Sequence, residues 1–228
     1  MTTPHLRRIR SFVRRPGRIT PSQQRALQQL WPRYGVDYTE RRIDFDHMFG
    51  RTAPRVLDIG FGDGEALLTM AANRPQADFL GVEVHEPGVG HLLVLLQRAN
   101  LDNVRIVQHD VVDVIAHMLE PECLDTVNIF FPDPWPKKRH HKRRLIQPEF
   151  LSQLAGVMKP GALLHTATDW APYAQYMLEV LDDSKDFAPA DEGRLASDPL
   201  AARPPTKFER RGQRLGHQVA DFYYVLKA

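Results

Sequence analysis

The chain has 228 residues, of which 43% are hydrophobic and 25% charged, with a formal net charge of only +2. That length and balance suit one globular domain with a full core and exclude a disordered or collagen-like chain. Cys123 is the single cysteine, which excludes an internal disulfide and a Cys-based zinc site and fits a reducing compartment. Residues 1–20 read as a basic, flexible arm: Arg7, Arg8, Arg10, Arg14, Arg15 and Arg18 stand there without an acid. The arm lacks the apolar core of a secretory signal. No apolar run approaches the roughly 18 residues of a membrane helix. A cytoplasmic location without membrane contact is therefore expected.

Residues 21–228 read as a single domain. A helical patch covers 23–30, and Trp31-Pro32 opens an irregular stretch reaching residue 50. Strands are predicted over 56–59, 79–84, 104–107, 124–131 and 162–167. Between and after them, helices are predicted over 65–72, 89–99, 111–118, 148–158 and 173–181. Such alternation, with nearly continuous apolar strands, predicts a parallel sheet covered on both faces. Residues 184–205 read as a loop. Two further strands, 206–210 and 219–226, joined by a turn between Gly212 and Gly216, are predicted as an antiparallel pair at the sheet edge.

Asp58-Ile59-Gly60-Phe61-Gly62-Asp63-Gly64 joins the first strand to the first helix of the alternating part. Glycines permit a tight turn and close ligand approach, and ligands of open parallel sheets bind at the carboxyl ends of the strands. The loop departs from the dinucleotide pattern, because Glu65 stands where a third glycine would fall. Glu65 and Asp63 also place negative charge where a pyrophosphate needs a clean helix N-terminus. Glu83 ends the second strand and Asp110 the third. An acid at each of three strand ends suits a cationic nucleoside such as S-adenosylmethionine and disfavours a nicotinamide dinucleotide.

The fourth strand runs into Phe130-Phe131-Pro132-Asp133-Pro134-Trp135-Pro136, followed at once by Lys137-Lys138-Arg139-His140-His141-Lys142-Arg143-Arg144. Proline on both sides fixes Asp133 in a stiff, non-helical turn. A dense cationic block beside it points to a polyanion. Lys207, Arg210, Arg211 and Arg214 form a looser third basic group. Trp135 reads equally as a stacking surface for a base or as packing under the loop. No metal site is expected, since His140 and His141 lack ligand spacing and company. His85, His165 and His217 read as structural or minor contacts. Cys123 precedes the fourth strand at its far end, so it reads as a core or surface thiol and not a nucleophile.

The glycine loop with Asp58, Glu83 and Asp110 resembles the class I S-adenosylmethionine-dependent methyltransferases over roughly 55–170. That resemblance implies a Rossmann-like α/β fold. Its seven-stranded, mostly parallel sheet has an antiparallel C-terminal strand and helices on both faces. At a finer level, the chain from Arg8-Ile9-Arg10-Ser11-Phe12 to its end is similar to the bacterial tRNA (guanine-N7-)-methyltransferases. The residues carrying this are Phe131-Pro132-Asp133-Pro134-Trp135 with its basic block, Gly81-Val82-Glu83-Val84-His85, Ala167-Thr168-Asp169-Trp170, and Thr206-Lys207-Phe208-Glu209 with Arg211-Gly212.

The resemblance implies methylation of N7 of a tRNA guanine (position 46, variable loop), with S-adenosylmethionine as methyl donor and tRNA as partner. It implies cofactor binding by Asp58, Gly60, Gly62, Gly64, Glu83, Asp110 and Asp133, with Asp133 also catalytic. Lys137, Asp169, Thr206, Lys207, Phe208 and Glu209 would lie at the substrate. Arg139, His140, His141, Lys142, Arg143 and Arg144 would lie on RNA. Asp58 departs from the glutamate common at that position in the family. The residues by themselves leave open methylation of another RNA base or of a protein, a non-catalytic RNA-binding module, and either a monomer or a homodimer.

Overall fold

The computed structural model describes residues 11–12, 17–198, 200–206, 209–210, 212, 216 and 218–228. The expected mobility of the arm through Arg15, and the expected contacts of Lys207 and Phe208, lie outside the described residues, as do Arg211, Arg214 and His217. The first helix, α1 (Pro21–Tyr34), opens with a capping box. Gln23 N–H donates to Thr20 Oγ1 at 3.3 Å, and Gln23 Oε1 accepts from Thr20 N–H at 2.8 Å. The sequence reading ends this helix before Trp31-Pro32, but the structure carries it to Tyr34. Pro32 falls in the final turn, where losing one main-chain bond is tolerable, and Gly35 N–H closes the end on Trp31 O at 2.7 Å. A short α2 (Phe45–Phe49) interrupts the stretch read as irregular.

The alternating part follows as β1 (Arg55–Ile59), α3 (Glu65–Asn73), β2 (Asp78–Val82), α4 (Glu86–Ala99), β3 (Val104–Val107), α5 (Val111–Met118) and β4 (Leu124–Phe130). A 3₁₀ turn (Lys138–Arg143) leads to α6 (Pro148–Ala155), β5 (Met158–Thr168) and α7 (Ala171–Asp182). The chain ends with β6 (Phe187–Pro189), α8 (Glu192–Ser197) and β7 (Ala220–Leu226). Among the described residues, seven strands form one sheet in the order β3-β2-β1-β4-β5-β7-β6. β1 through β5 run parallel, and β7 runs antiparallel to both β5 and β6. This is the sheet of the class I methyltransferases, as the resemblance implies.

Two expectations near the C-terminus are corrected. The partner of β7 is β6, with Phe187 opposite Leu226, so the stretch read as loop contains a strand and also α8. Of the residues expected in a strand over 206–210, the described ones are in none: Thr206 is irregular, and Glu209 and Arg210 are helical, as is Gly212 beyond them. Thr206 and Glu209 make a capping box there: Glu209 N–H donates to Thr206 Oγ1 at 3.1 Å, and Thr206 N–H to Glu209 Oε2 at 3.3 Å. Thr-x-x-Glu is a helix-start signature, and here it overrides the β pattern.

Apolar side chains fill both faces of the sheet. Leu57, Leu80, Val127, Ile129 and Leu164 pack beneath α5, α6 and α7, while Val56, Phe79 and Ile106 pack beneath α1, α3 and α4. α1 is locked to α4, where Gln23 Nε2 donates to Pro87 O at 3.1 Å. Because the first five strands are parallel, Asp58, Glu83, Asp110, Asp133 and Asp169 all fall at one end of the sheet. β1 and β4 are neighbours whose connections leave in opposite directions, which opens the crevice where such sheets bind ligands.

Candidate active site

After β1 the chain turns through Gly60, Gly62 and Gly64, with φ of 72°, 62° and 80°. This left-handed backbone favours glycine. Gly64 caps α3, and a Cβ there would stand 2.7 Å from Leu92 Cβ, so its part is in the turn and the packing rather than in the cavity wall. α4 approaches the loop more closely still: a Cβ on Gly88 would lie 2.0 Å from Gly62 O. The sequence reading passes over Gly88, although a glycine just inside a helix start after a strand-end acid is a usable signal of close approach.

Glu83 follows β2 and is 9% exposed. Its carboxylate accepts from Gly62 N–H at 2.9 Å, Val84 N–H at 2.6 Å and His85 N–H at 2.9 Å. One side chain thus ties the glycine loop to the β2–α4 turn. A carboxylate offers about four acceptor positions, which leaves capacity for a ligand hydroxyl. Asp110 caps α5, accepting from Val112 N–H at 3.2 Å. Asp133 accepts from Trp135 N–H at 3.1 Å. Phe131 and Trp135 flank it in the left-handed region, with φ of 53° and 45°, a conformation that bulky side chains rarely adopt. Trp135 is buried, and its indole N–H donates to Ser11 O at 3.0 Å. This is the packing role, with the ring wedged beneath the loop.

Glu83, Asp110 and Asp133 line one cavity of about 320 Å³ together with Gly60 and Gly62, within the roughly 300–1,000 Å³ of small-molecule sites. Ile59, Val82, Val84 and Leu145 give it apolar walls, Ser11 and Phe12 of the arm reach it, and no lysine or arginine is among its described lining residues. Asp58 and Thr206 line a smaller adjoining space of about 50 Å³ that shares Gly60, Gly62, Phe130 and Phe131 with the first. Asp58 is 3% exposed. Burial, and secondly the neighbouring Glu83 charge, push its carboxyl up to about 7. A cation seated beside it would restore the ionised form.

A family profile described as "Putative methyltransferase" matches residues 52–222. The chain is 58% identical over 222 residues to the tRNA (guanine-N(7)-)-methyltransferase of Halorhodospira halophila, covering 97% of this chain and 96% of that protein. It is 55% identical over 230 residues to the enzyme of the same name from Burkholderia thailandensis, covering 98% and 83%. The chain belongs to the tRNA (guanine-N7)-methyltransferase family. Solved structures with the same fold include the 16S rRNA methyltransferase KamB, at a TM-score of 0.56 and 16% identity over 82% of this chain and 95% of that one. TrmN from Thermus thermophilus matches with a TM-score of 0.54 and 16% identity over 90% and 48%.

The other family positions divide by environment. Lys137, Arg139 and Lys142 are exposed around the 3₁₀ turn, while His140, His141 and Arg143 are half-buried. Arg143 lies over the Trp135 ring at 5.2 Å. Arg144 stands apart from the rest of the block. It is 5% exposed, its Nε–H donates to Pro134 O at 3.0 Å, and its guanidinium lies 4.9 Å and 4.7 Å from the ring centres of Tyr173 and Tyr176. Its charge is spent inside the protein, holding the loop of Asp133 onto α7. Asp169, past β5, abuts Gly212, where a Cβ would stand 2.7 Å from its Oδ2. Asp169 and Gly212 therefore meet, although neither Asp169 nor Glu209 is among the described residues lining these two cavities. Cys123 is a core thiol that burial pushes up to about 11, far from nucleophilic use. No helix among the described residues is long and apolar enough to cross a membrane.

Proposed function

We propose that this protein transfers the methyl group of S-adenosylmethionine to N7 of a tRNA guanine, at position 46 of the variable loop, giving 7-methylguanosine. The observation carrying this reading is the convergence of Glu83, Asp110 and Asp133 on one cavity in a member of this family. The residues fit the cofactor. Apolar walls, carboxylates and positive-φ glycines without a lysine or arginine suit a cationic nucleoside and are hostile to a pyrophosphate.

S-adenosylmethionine supplies a methyl on a sulfonium, which the N7 lone pair takes in line while the carbon–sulfur bonding pair returns to sulfur. Glu83 accepts from the ribose hydroxyls and Asp110 from the adenine amino group. Asp58 faces the cationic methionine end, with Gly60 and Gly62 giving the backbone approach and Gly64 setting the turn. N7 carries no proton, so no general base is needed, and the task of the protein is alignment. Positive charge moves onto the purine as the bond forms. Asp133 offsets it and, with Asp169, accepts from the N1–H and N2 donors of the guanine edge. Lys137 and the segment 206–209 hold the substrate from the other side.

In this reading residues 21–228 form one methyltransferase domain that works in the cytoplasm. The basic arm and Arg139 to Arg143 contact phosphates, giving affinity without sequence choice. Incubation of a tRNA transcript with labelled S-adenosylmethionine tests the proposal. Reduction and aniline treatment should cut the chain at one guanine of the variable loop. Label incorporated without such a cut would mean another acceptor atom.

A further inference from the structure

Behind the reacting loop lies a charged network that the reaction as described leaves unused. His165, in the middle of β5, is 1% exposed. Its ring stacks on Tyr223 at 4.0 Å and meets the edge of Phe130 at 4.8 Å. Its Nε2 is 2.7 Å from Asp221 Oδ1 on β7. Burial lowers the basicity of this imidazole, against the pull of Asp221, and its Nε2 faces the carboxylate at hydrogen-bond distance. Asp221 also receives both prongs of Arg203: Nε at 2.7 Å on Oδ1 and Nη2 at 2.8 Å on Oδ2. Burial opposes ionisation of Asp221, but the hydrogen bonds from His165 and Arg203 outweigh it and hold the carboxyl at about 2.

The remaining arm of Arg203 reaches toward the substrate side. Its Nη1 donates to Glu209 Oε2, the same oxygen that takes Thr206 N–H in the capping box, and to Pro204 O at 3.4 Å. The guanidinium lies 5.5 Å from the ring centre of Phe130 and 5.6 Å from that of Phe131. Phe131 is the left-handed residue from which the Pro132-Asp133 turn departs. Burial works against the charge of Arg203, yet its hydrogen bonds to Asp221 and Glu209 raise its pKa. One side chain therefore joins the last strand, the root of the Asp133 loop and the Thr206–Glu209 start. It lines neither cavity.

We infer that Arg203 is a positioning residue for methyl transfer. Anchored on Asp221 and braced by His165, it fixes the spacing between the Asp133 loop and the Thr206–Glu209 capping pair, and so the path along which N7 meets the methyl. A planar fork is needed to serve two carboxylates and two rings at once, which a lysine ammonium cannot do. A displacement near 1 Å at a reacting centre can lower rate about a hundredfold.

The inference rests on the proposed reaction, and the test separates the two. Wild type, Arg203→Lys and Asp221→Asn are compared by calorimetric titration with S-adenosylmethionine and by single-turnover methylation of a tRNA transcript. Rates are expressed per S-adenosylmethionine-binding site, so that unfolded protein does not count. The expected result is a roughly 10–100-fold fall in rate for Arg203→Lys and a smaller fall for Asp221→Asn, with cofactor Kd within about threefold of wild type. The combined variant should fall by less than the product of the two, as for members of one network. Should Arg203→Lys fail to fold, Asp221→Asn, which keeps the shape of its side chain, carries the same reading. Rates per site equal to wild type overturn the inference, and so does a loss of cofactor affinity matching the loss of rate. Absence of N7-methylguanine with wild-type protein instead overturns the reaction itself.

Discussion

Replacing Asp58 by Asn should make the cofactor-free protein more stable at mildly alkaline pH while weakening its hold on S-adenosylmethionine. The carboxyl rises from 3.8 to about 7 because it is buried and faces Glu83. The folded state therefore binds a proton more tightly than the unfolded chain, so stability falls as pH rises from about 4 to about 7. At about 1.36 kcal/mol per unit the full loss is about 4 kcal/mol. Asn carries no charge to bury but still needs hydrogen-bond partners, so the net gain expected near pH 8 is about 2–4 kcal/mol. For a chain of 228 residues that is roughly 5–15 °C in Tm. Urea unfolding without cofactor, at about pH 5 and about pH 8, reads it directly. The gap between variant and wild type should widen by about 3 kcal/mol from the lower pH to the higher. Binding of S-adenosylmethionine by the wild type near pH 7 should also release a fraction of a proton, seen as a buffer-dependent enthalpy. An equal stability gap at both pH values would refute the reasoning.

Five further substitutions test separate parts of the site. Asp133→Ala, with fold and cofactor binding retained, should lower turnover at saturating cofactor by about 10²–10³; undiminished turnover would remove Asp133 from the reaction. Arg144→Ala strips a donor from Pro134 O and a cation from two tyrosine rings, for a loss of about 1–3 kcal/mol in denaturant unfolding. The salt dependence of tRNA binding should stay as it is, whereas Arg139→Ala and Lys142→Ala should each reduce that slope by about 1. Gly88→Ala puts a Cβ 2.0 Å from Gly62 O, so α4 and the glycine loop must part. Calorimetry should show cofactor affinity down about tenfold or more, as overpacking of about 1–3 kcal/mol would give.

The alternating centre of the chain was legible because strand and helix periods there agree with their burial. Val104–Val107 and Val111–Met118 appear in the structure with the boundaries read from sequence. The strand-end acids were legible only jointly: each alone has structural uses, as in the cap that Asp110 gives α5, but parallel strands bring all three to one end of the sheet. Legibility failed where short signals compete. Ala188 and Pro189 give β6 no alternating pattern, and it is a strand only because β7 offers it a free edge. At 206–210 a β-like texture masked a Thr-x-x-Glu helix start that was present in the sequence. Arg144 could not be told from Arg143 in a run of like charge. What separates them is that Tyr173 and Tyr176, from a helix beginning at Ala171, fold over one and not the other. The Arg203 network was invisible for the same reason, because its members come from β5, β7 and the segment between α8 and β7.

In the proposed reaction N7 is the attacking atom, and Asp133 positions the base rather than removing a proton. The most direct measurement is single-turnover transfer to a tRNA in which the target guanine is replaced by 7-deazaguanine, where a C–H stands in place of N7 and the Watson–Crick edge is unchanged. Binding close to that of unmodified tRNA, and no methyl transfer, are expected. Continued transfer to the substituted base would contradict that reaction.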